Sequence, residues 1–262
     1  MAASKKGAKW PLKYSQVGLN TDTNLLKLIA MAAMLIDHTG KMLFQSNAMR
    51  CVGRLAFPIY AYCIAVGCVY SKNHLKYLSR LVSVGLVSQP FYALAMGHTY
   101  PSMNAIAFKG NPVGAVLNFY VESWGHPSIM LTLVVGLLLI WSIREKRLAL
   151  ALALMVFTWR AQGSLDYGWK GVALISLFYL FGARWWTALP VVGAFMLWWA
   201  LQGTGYRLFG LSFGMQVFAL LALIPITLHT HSGLKINKWV FYLFYPGHLI
   251  GILLIEMAMK TM

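Results

Sequence analysis

The chain has 262 residues, 59% of them apolar and 11% charged, with a mean hydropathy of +0.64. Soluble globular domains carry about 25% charged residues, so this composition excludes one. The formal net charge of +16 would suit nucleic acid if the basic residues formed one patch. They stand instead between apolar runs, where the positive-inside rule and anionic headgroups place them, so the expected neighbours are membrane lipids and not nucleic acid.

A basic, polar segment over residues 1–23 precedes a single transmembrane domain over 24–262. The first apolar run contains Asp37 and His38 and lacks a small-residue cleavage site, so it reads as a retained span and not as a signal peptide. Apolar runs then recur over 24–45, 54–71, 78–97, 126–143, 147–160, 167–183, 187–201, 211–229 and 239–259. The fifth and seventh are short against the ~20 residues that a spanning helix needs. The predicted fold is all-α, a polytopic transmembrane helical bundle of about nine spans. Gly97 to Gly125 is the longest loop, punctuated by Pro101, Gly110, Asn111, Pro112 and Gly114, and Val113 to Val121 within it reads as a re-entrant or interfacial helix. Cys51, Cys63 and Cys68 match neither a metal knuckle nor a disulfide framework and read as packing residues.

Counting Lys and Arg on alternate sides gives the orientation. With the N-terminus inside, the cytoplasmic side holds thirteen: Lys5, Lys6, Lys9, Lys13, Lys72, Lys76, Arg80, Arg144, Lys146, Arg147, Arg184, Lys235 and Lys238. The other side holds eight: Lys41, Arg50, Arg54, Lys109, Arg160, Lys170, Arg207 and Lys260. The asymmetry predicts a cytoplasmic N-terminus.

A charge at the centre of a span costs about 2.5–3.5 kcal/mol on insertion scales, so intramembrane polar residues mark function or a built partner. Under this orientation Asp37, His38, Arg54, Gln89, His126, Asp166 and His248 all fall toward the outer halves of their helices. If those faces point inward they form a polar pocket. Adjacent helix positions point ~100° apart, so Asp37 is badly placed to orient His38. It pairs instead with Lys41 one turn on or with Arg54 from the next helix, leaving His38 to meet another partner. His126 precedes Pro127 and Ser128 at a helix start and reads equally as a cap. His248 follows Tyr245, Pro246 and Gly247, where an opened helix can turn backbone groups to a cavity. No phosphate loop, HExxH or metal-ligand set is present in the sequence, and proton chemistry in so acid-poor a chain falls to His.

Five segments carry a family resemblance: LKLIAMAAMLIDHTG (Leu26 to Gly40), GRLAFPIYAY (Gly53 to Tyr62), YLSRLVSVGLVSQPFY (Tyr77 to Tyr92), DYGWKGV (Asp166 to Val172) and FYLFYPGHL (Phe241 to Leu249). In this order they resemble the TraX family, membrane proteins that acetylate the pilin subunit of conjugative pili. That family is similar to membrane acyltransferases that carry a histidine in the first helix and use cytoplasmic acyl-CoA to modify an acceptor on the far side.

The resemblance implies a bacterial inner-membrane acetyltransferase, with acetyl-CoA as donor and the N-terminus of a pilin, or another envelope acceptor, as partner. It implies His38 as the catalytic histidine, with Asp37 and Arg54 as companions. Lys41, Gln89, His126, Asp166, Tyr245 and His248 are then the candidates for binding the acceptor. Lys72, Lys76, Arg80 and Arg144 are the candidates for the CoA diphosphate, and no metal is expected. Two other readings stay open: a proton-coupled transporter with Asp37, His38, His248 and Glu256 as a relay, and a non-catalytic assembly protein of a pilus or envelope complex.

Overall fold

A computed structural model of the chain describes residues 17–104, 109–208 and 210–261. Lys5, Lys6, Lys9 and Lys13 of the predicted basic segment lie outside the described residues. Among the described residues the architecture is all-α apart from one short hairpin.

The first helix, α1 (Thr23–Met42), starts where Asp22 caps it, its carboxylate accepting from the Leu25 amide at 3.3 Å. A short α2 (Asn47–Gly53) folds back against α1 and leads through Arg54 and Leu55 into α3 (Ala56–Tyr70). Pro58 explains the break. It lacks an N–H, and its ring clashes with the carbonyl of residue i−4, which is Arg54. The amides of Arg54 and Leu55 turn instead to Cys51 and Val52, each at 3.2 Å. The predicted second span therefore begins seven residues earlier, with a bend that leaves Arg54 at a helix end.

Next come α4 (His74–Ala95), capped by Asn73, and α5 (Pro112–Ser123), where the loop helix was expected. Asn111 caps α5, accepting from the Gly114 amide at 2.9 Å, with Pro112 in the first turn. Helices α6 (Ile129–Arg144), α7 (Leu148–Arg160), α8 (Gly168–Phe181) and α9 (Trp185–Leu201) follow the predicted runs closely. The eighth predicted span, 211–229, is a correction. Its start belongs to an antiparallel hairpin, β1 (Tyr206–Leu208) with β2 (Leu211–Phe213), turning at Gly210, whose φ of 77° suits glycine. The rest is a 3₁₀ helix, Met215–Ala222, running into the single-turn α10 (Leu223–Thr227). At ~2.0 Å rise per 3₁₀ residue the segment covers a helix's distance with fewer residues. Helix α11 (Lys238–Thr261) closes the chain.

Apolar α3 is the axis of the bundle, with Ile59, Ala61, Tyr62, Ala65 and Cys68 at 5% exposure or less. It packs on α1, α6, α8 and the 3₁₀ segment. One end of the bundle is tied by Asn20, whose side chain donates to the Pro225 carbonyl at 2.8 Å and whose backbone exchanges hydrogen bonds with the Tyr62 hydroxyl. Gly18 bonds Gly182 at the same end, and Arg144 donates to the carbonyls of Cys68 and Val69 there. The opposite end gathers the C-terminus of α1, α2, the turns around Asp166 and Tyr206, and the later part of α11. Large apolar residues face outward, including Leu148, Leu152, Val156 and Trp159 on α7 and Leu243, Leu254 and Met257 on α11. Among the described residues, two segments, Asn47–Tyr70 and Lys238–Thr261, are long and apolar enough to cross a membrane by length and composition.

Candidate functional site

At that second end a cavity of about 200 Å³ opens between α1, α2, α3, α4, α11 and the turn before α8. Six of the residues singled out from sequence line it: Asp37, His38, Lys41, Arg54, Asp166 and Tyr245. Arg50, Tyr60, Tyr92 and Tyr167 line it too and were not foreseen as site residues.

Asp37 selects Arg54 over Lys41. One guanidinium nitrogen, Nη2, donates to both carboxylate oxygens at 3.0 and 3.2 Å, with the two side chains 16–17% exposed. The bend at Pro58 turns Arg54 toward α1, and its Nε is held 3.3 Å from the Arg50 carbonyl. Lys41 places its Nζ 2.9 Å from the Met96 sulfur. The Arg50 Nε is buried with no hydrogen-bond partner among the described residues. Its signal was its spacing, four residues before Arg54, although sequence alone assigns it to topology.

His38 turns away from Asp37, as their ~100° separation requires. Its Nδ1 lies 2.7 Å from His248 Nε2 on α11, and His248 Nδ1 lies 2.8 Å from the Phe244 carbonyl. The two imidazoles are buried, at 8% and 7% exposure. His248 does not line the cavity; it stands behind His38.

Asp166 stands in the concave mouth of the cavity, in the turn between α7 and α8. It touches solvent, yet crowding by protein pushes its carboxyl up to about 6, against the pull of Arg54 and Lys41. Tyr167 beside it stacks on Phe57 with centroids 4.1 Å apart, so the turn is anchored to α3. Asp166 and Tyr167 also wall a second depression, with Lys170 and Trp199 on its far side.

The remaining expected residues stand elsewhere. Gln89 is fully buried, donating to the carbonyls of Ser123 and His126 and accepting from the Ser128 amide at 2.9 Å. It joins α4 to the start of α6, and its polar atoms are used there. His126 is exposed and stacks on His98, centroids 4.2 Å apart. Lys72, Lys76 and Arg80 lie around the α3–α4 turn, at the other end of α3 from the cavity. Fifteen helical residues at 1.5 Å each put that end roughly 22 Å away. Arg144 caps the end of α3 through the Cys68 and Val69 carbonyls.

The cavity thus brings together a ring nitrogen without a hydrogen-bond partner among the described residues, a fixed ion pair, two further cations and a carboxyl at the mouth. Its volume is below the ~300–1,000 Å³ of clefts that enclose drug-sized ligands. It has room for a small group and not for a whole drug-sized molecule.

Comparison with known proteins follows the same lines. A "Probable fimbrial assembly protein FimC, serogroup H1" of Dichelobacter nodosus is 29% identical over 246 residues, covering 86% of this chain and 91% of its own. No solved structure matches the chain. The family described as TraX protein matches over residues 22–256, from the cap of α1 to near the end of α11. The chain therefore belongs to the TraX family.

Proposed function

We propose that the chain is a multi-pass protein of the bacterial inner membrane that serves pilus assembly by moving an acetyl group from acetyl-CoA to the N-terminus of a pilin or related envelope acceptor. Its place in pilus assembly is supported by the family and by the name of the Dichelobacter nodosus relative, a probable fimbrial assembly protein. Nine crossings are supported by nine described segments whose ends alternate between the two ends of the bundle, and a cytoplasmic N-terminus by the charge asymmetry.

The observation that carries acetyl transfer is His38 itself, a buried imidazole beside an ion pair in a cavity sized for reacting ends. An N-terminal amine, with an unperturbed pKa of ~7.7–8.0, attacks a thioester only when neutral. Its lone pair forms the new C–N bond at the acetyl carbon, the C–S bond breaks, and the CoA sulfur leaves with the electron pair. His38 takes the proton released from the amine and returns it to the departing sulfur, general catalysis typically worth about 10²–10⁴ in rate. Arg54 and Lys41 stabilise the oxyanion that develops on the acetyl oxygen. Asp37 fixes Arg54 in place, and Asp166 at the mouth meets the incoming ammonium. Lys72, Lys76 and Arg80 at the opposite end receive the donor's diphosphate, leaving Arg144 to its capping contacts.

The test is transfer from radiolabelled acetyl-CoA to the mature pilin by purified protein in nanodiscs. Label on the pilin α-amine, absent with His38→Gln, is the expected result. Absence of label with intact protein and pilin would favour the non-catalytic assembly reading, which the name of the relative also suits.

A further inference from the structure

We propose that His248 is a positioning residue: it fixes the tautomer of His38 and so leaves the lone pair on Nε2, the ring nitrogen not engaged by His248. A carbonyl only accepts, so His248 Nδ1, 2.8 Å from the Phe244 carbonyl, carries a hydrogen and donates it. In a neutral imidazole the other nitrogen is then an acceptor, so His248 Nε2 accepts. The hydrogen between the rings therefore belongs to His38 Nδ1, 2.7 Å away. His38 Nε2 is left with its lone pair free, and it has no hydrogen-bond partner among the described residues.

Ring geometry agrees with this assignment. The His38 and His248 planes lie within 5° of each other with centroids 5.0 Å apart. With nitrogens 2.7 Å apart this is an edge-to-edge arrangement in one plane, not a face-to-face stack, and it points the N–H along the lone pair. The Phe244 ring lies parallel to the His248 ring at 4.7 Å and holds it from swinging. Asp37, the residue adjacent in sequence, is engaged by Arg54 and takes no part. When Nε2 gains a proton from the cavity, the Nδ1–H bond to His248 becomes charge-assisted and strengthens. A neutral imidazole here takes the place that a carboxylate holds behind the histidine of a hydrolase triad.

The kinetic consequence rests on the acetyl-transfer reading, whereas the tautomer does not. The ring ¹⁵N spectrum of histidine-labelled protein in nanodiscs, with His38 assigned by loss of its signals in His38→Gln, should show His38 protonated at Nδ1. His248→Ala should abolish that signature, and His248→Gln, which keeps an acceptor near the Nε2 position, should retain it in part. In acetyl transfer His248→Ala should lower kcat about 10- to 100-fold, the scale for a lost orienting partner behind a working histidine, with KM unchanged and partial recovery in His248→Gln. The expected signature without acetyl transfer by any variant would uphold the positioning and sink the acetyltransferase reading. His38 protonated at Nε2 in the wild type, a signature that survives His248→Ala, or a raised KM at constant kcat would each overturn the proposal.

Discussion

Gly53 has no side chain where Asp37 needs the room: a Cβ built on it would lie 2.2 Å from the Asp37 Cβ. Gly40 on the facing helix is as tight, 2.5 Å from the Met49 Cβ. The two glycines let α2 settle on α1, which brings Arg54 to the Asp37 carboxylate. Gly53→Ala should therefore cost about 1–3 kcal/mol, the range for overpacking, and separate the ion pair. Gly193→Ala is the control, since its Cβ would meet only Leu223 at an ordinary 3.6 Å. Unfolding in mixed micelles reads the difference, and equal stability of the two variants would show that α1 and α2 can part without cost.

The ion pair makes its own prediction. Removing either charge strands the other in a site only 16–17% exposed. Asp37→Asn and Arg54→Gln should each destabilise, and the double variant should lose less than the sum. A coupling of ~0.5–3 kcal/mol is expected for residues in direct contact. Additive effects in this cycle would mean that the contact contributes nothing.

Most of the fold was legible because apolar runs and their punctuation are local signals. The helices capped by Asp22 and Asn111 begin at Thr23 and Pro112, each one residue before the predicted run, and the one capped by Asn73 begins at His74, four residues before it. The 211–229 run failed because hydropathy does not distinguish an α-helix from a hairpin followed by a 3₁₀ segment. The site was legible where the cost of burial points inward, as for Asp37, His38 and Arg54. Gln89 misled because a buried amide that joins two helices costs as much to bury as one that meets a ligand. Arg50 was missed because a basic residue near a helix end has the same appearance whether it serves topology or a cavity. The His38–His248 pair, 210 residues apart, is a tertiary contact that no single segment encodes.

Asp166 predicts a pH dependence of stability. Its carboxyl, ordinarily at 3.8, is pushed up to about 6 in the folded chain, chiefly by the protein crowded around a side chain that still meets solvent. The folded state then holds this proton more tightly than the unfolded one, so stability falls as pH rises between about 4 and 6 and levels off above. Asp166→Asn removes the contribution. The melting temperature of the wild type relative to this variant should decline across that window, measured in the same nanodiscs. A constant difference from pH 4 to 7 would show that the mouth does not perturb Asp166.

Orientation is tested by fusing reporters. Arg144 lies at the end of the bundle tied by Asn20, and Lys235 follows the segment joined to Asp22 and Asn24 there. His98 lies at the cavity end, stacked on His126. Fusions after Arg144 and Lys235 should report cytoplasm and a fusion after His98 the outside. A cytoplasmic His98 would place the cavity on the donor's side and remove the need for an acyl group to cross.

His38 carries the sharpest expectation, because two effects of its removal have opposite signs. Replacing a polar residue in an apolar helix lowers the cost of insertion, so His38→Ala should reach the membrane at near-normal levels. It also leaves His248 Nε2 without its partner, a modest penalty for a neutral acceptor beside a cavity that water can enter. Chemistry should suffer far more: the acetylated fraction of co-expressed pilin, read by intact mass, should reflect a fall of two or more orders of magnitude in rate, within the ~10²–10⁴ range of a lost general base. Asp37→Asn should fall between, since it loosens Arg54 without removing the base. Full acetylation by His38→Ala at matched membrane levels and low enzyme, where rate limits yield, would return His38 to a structural role and leave the cavity without its reacting group.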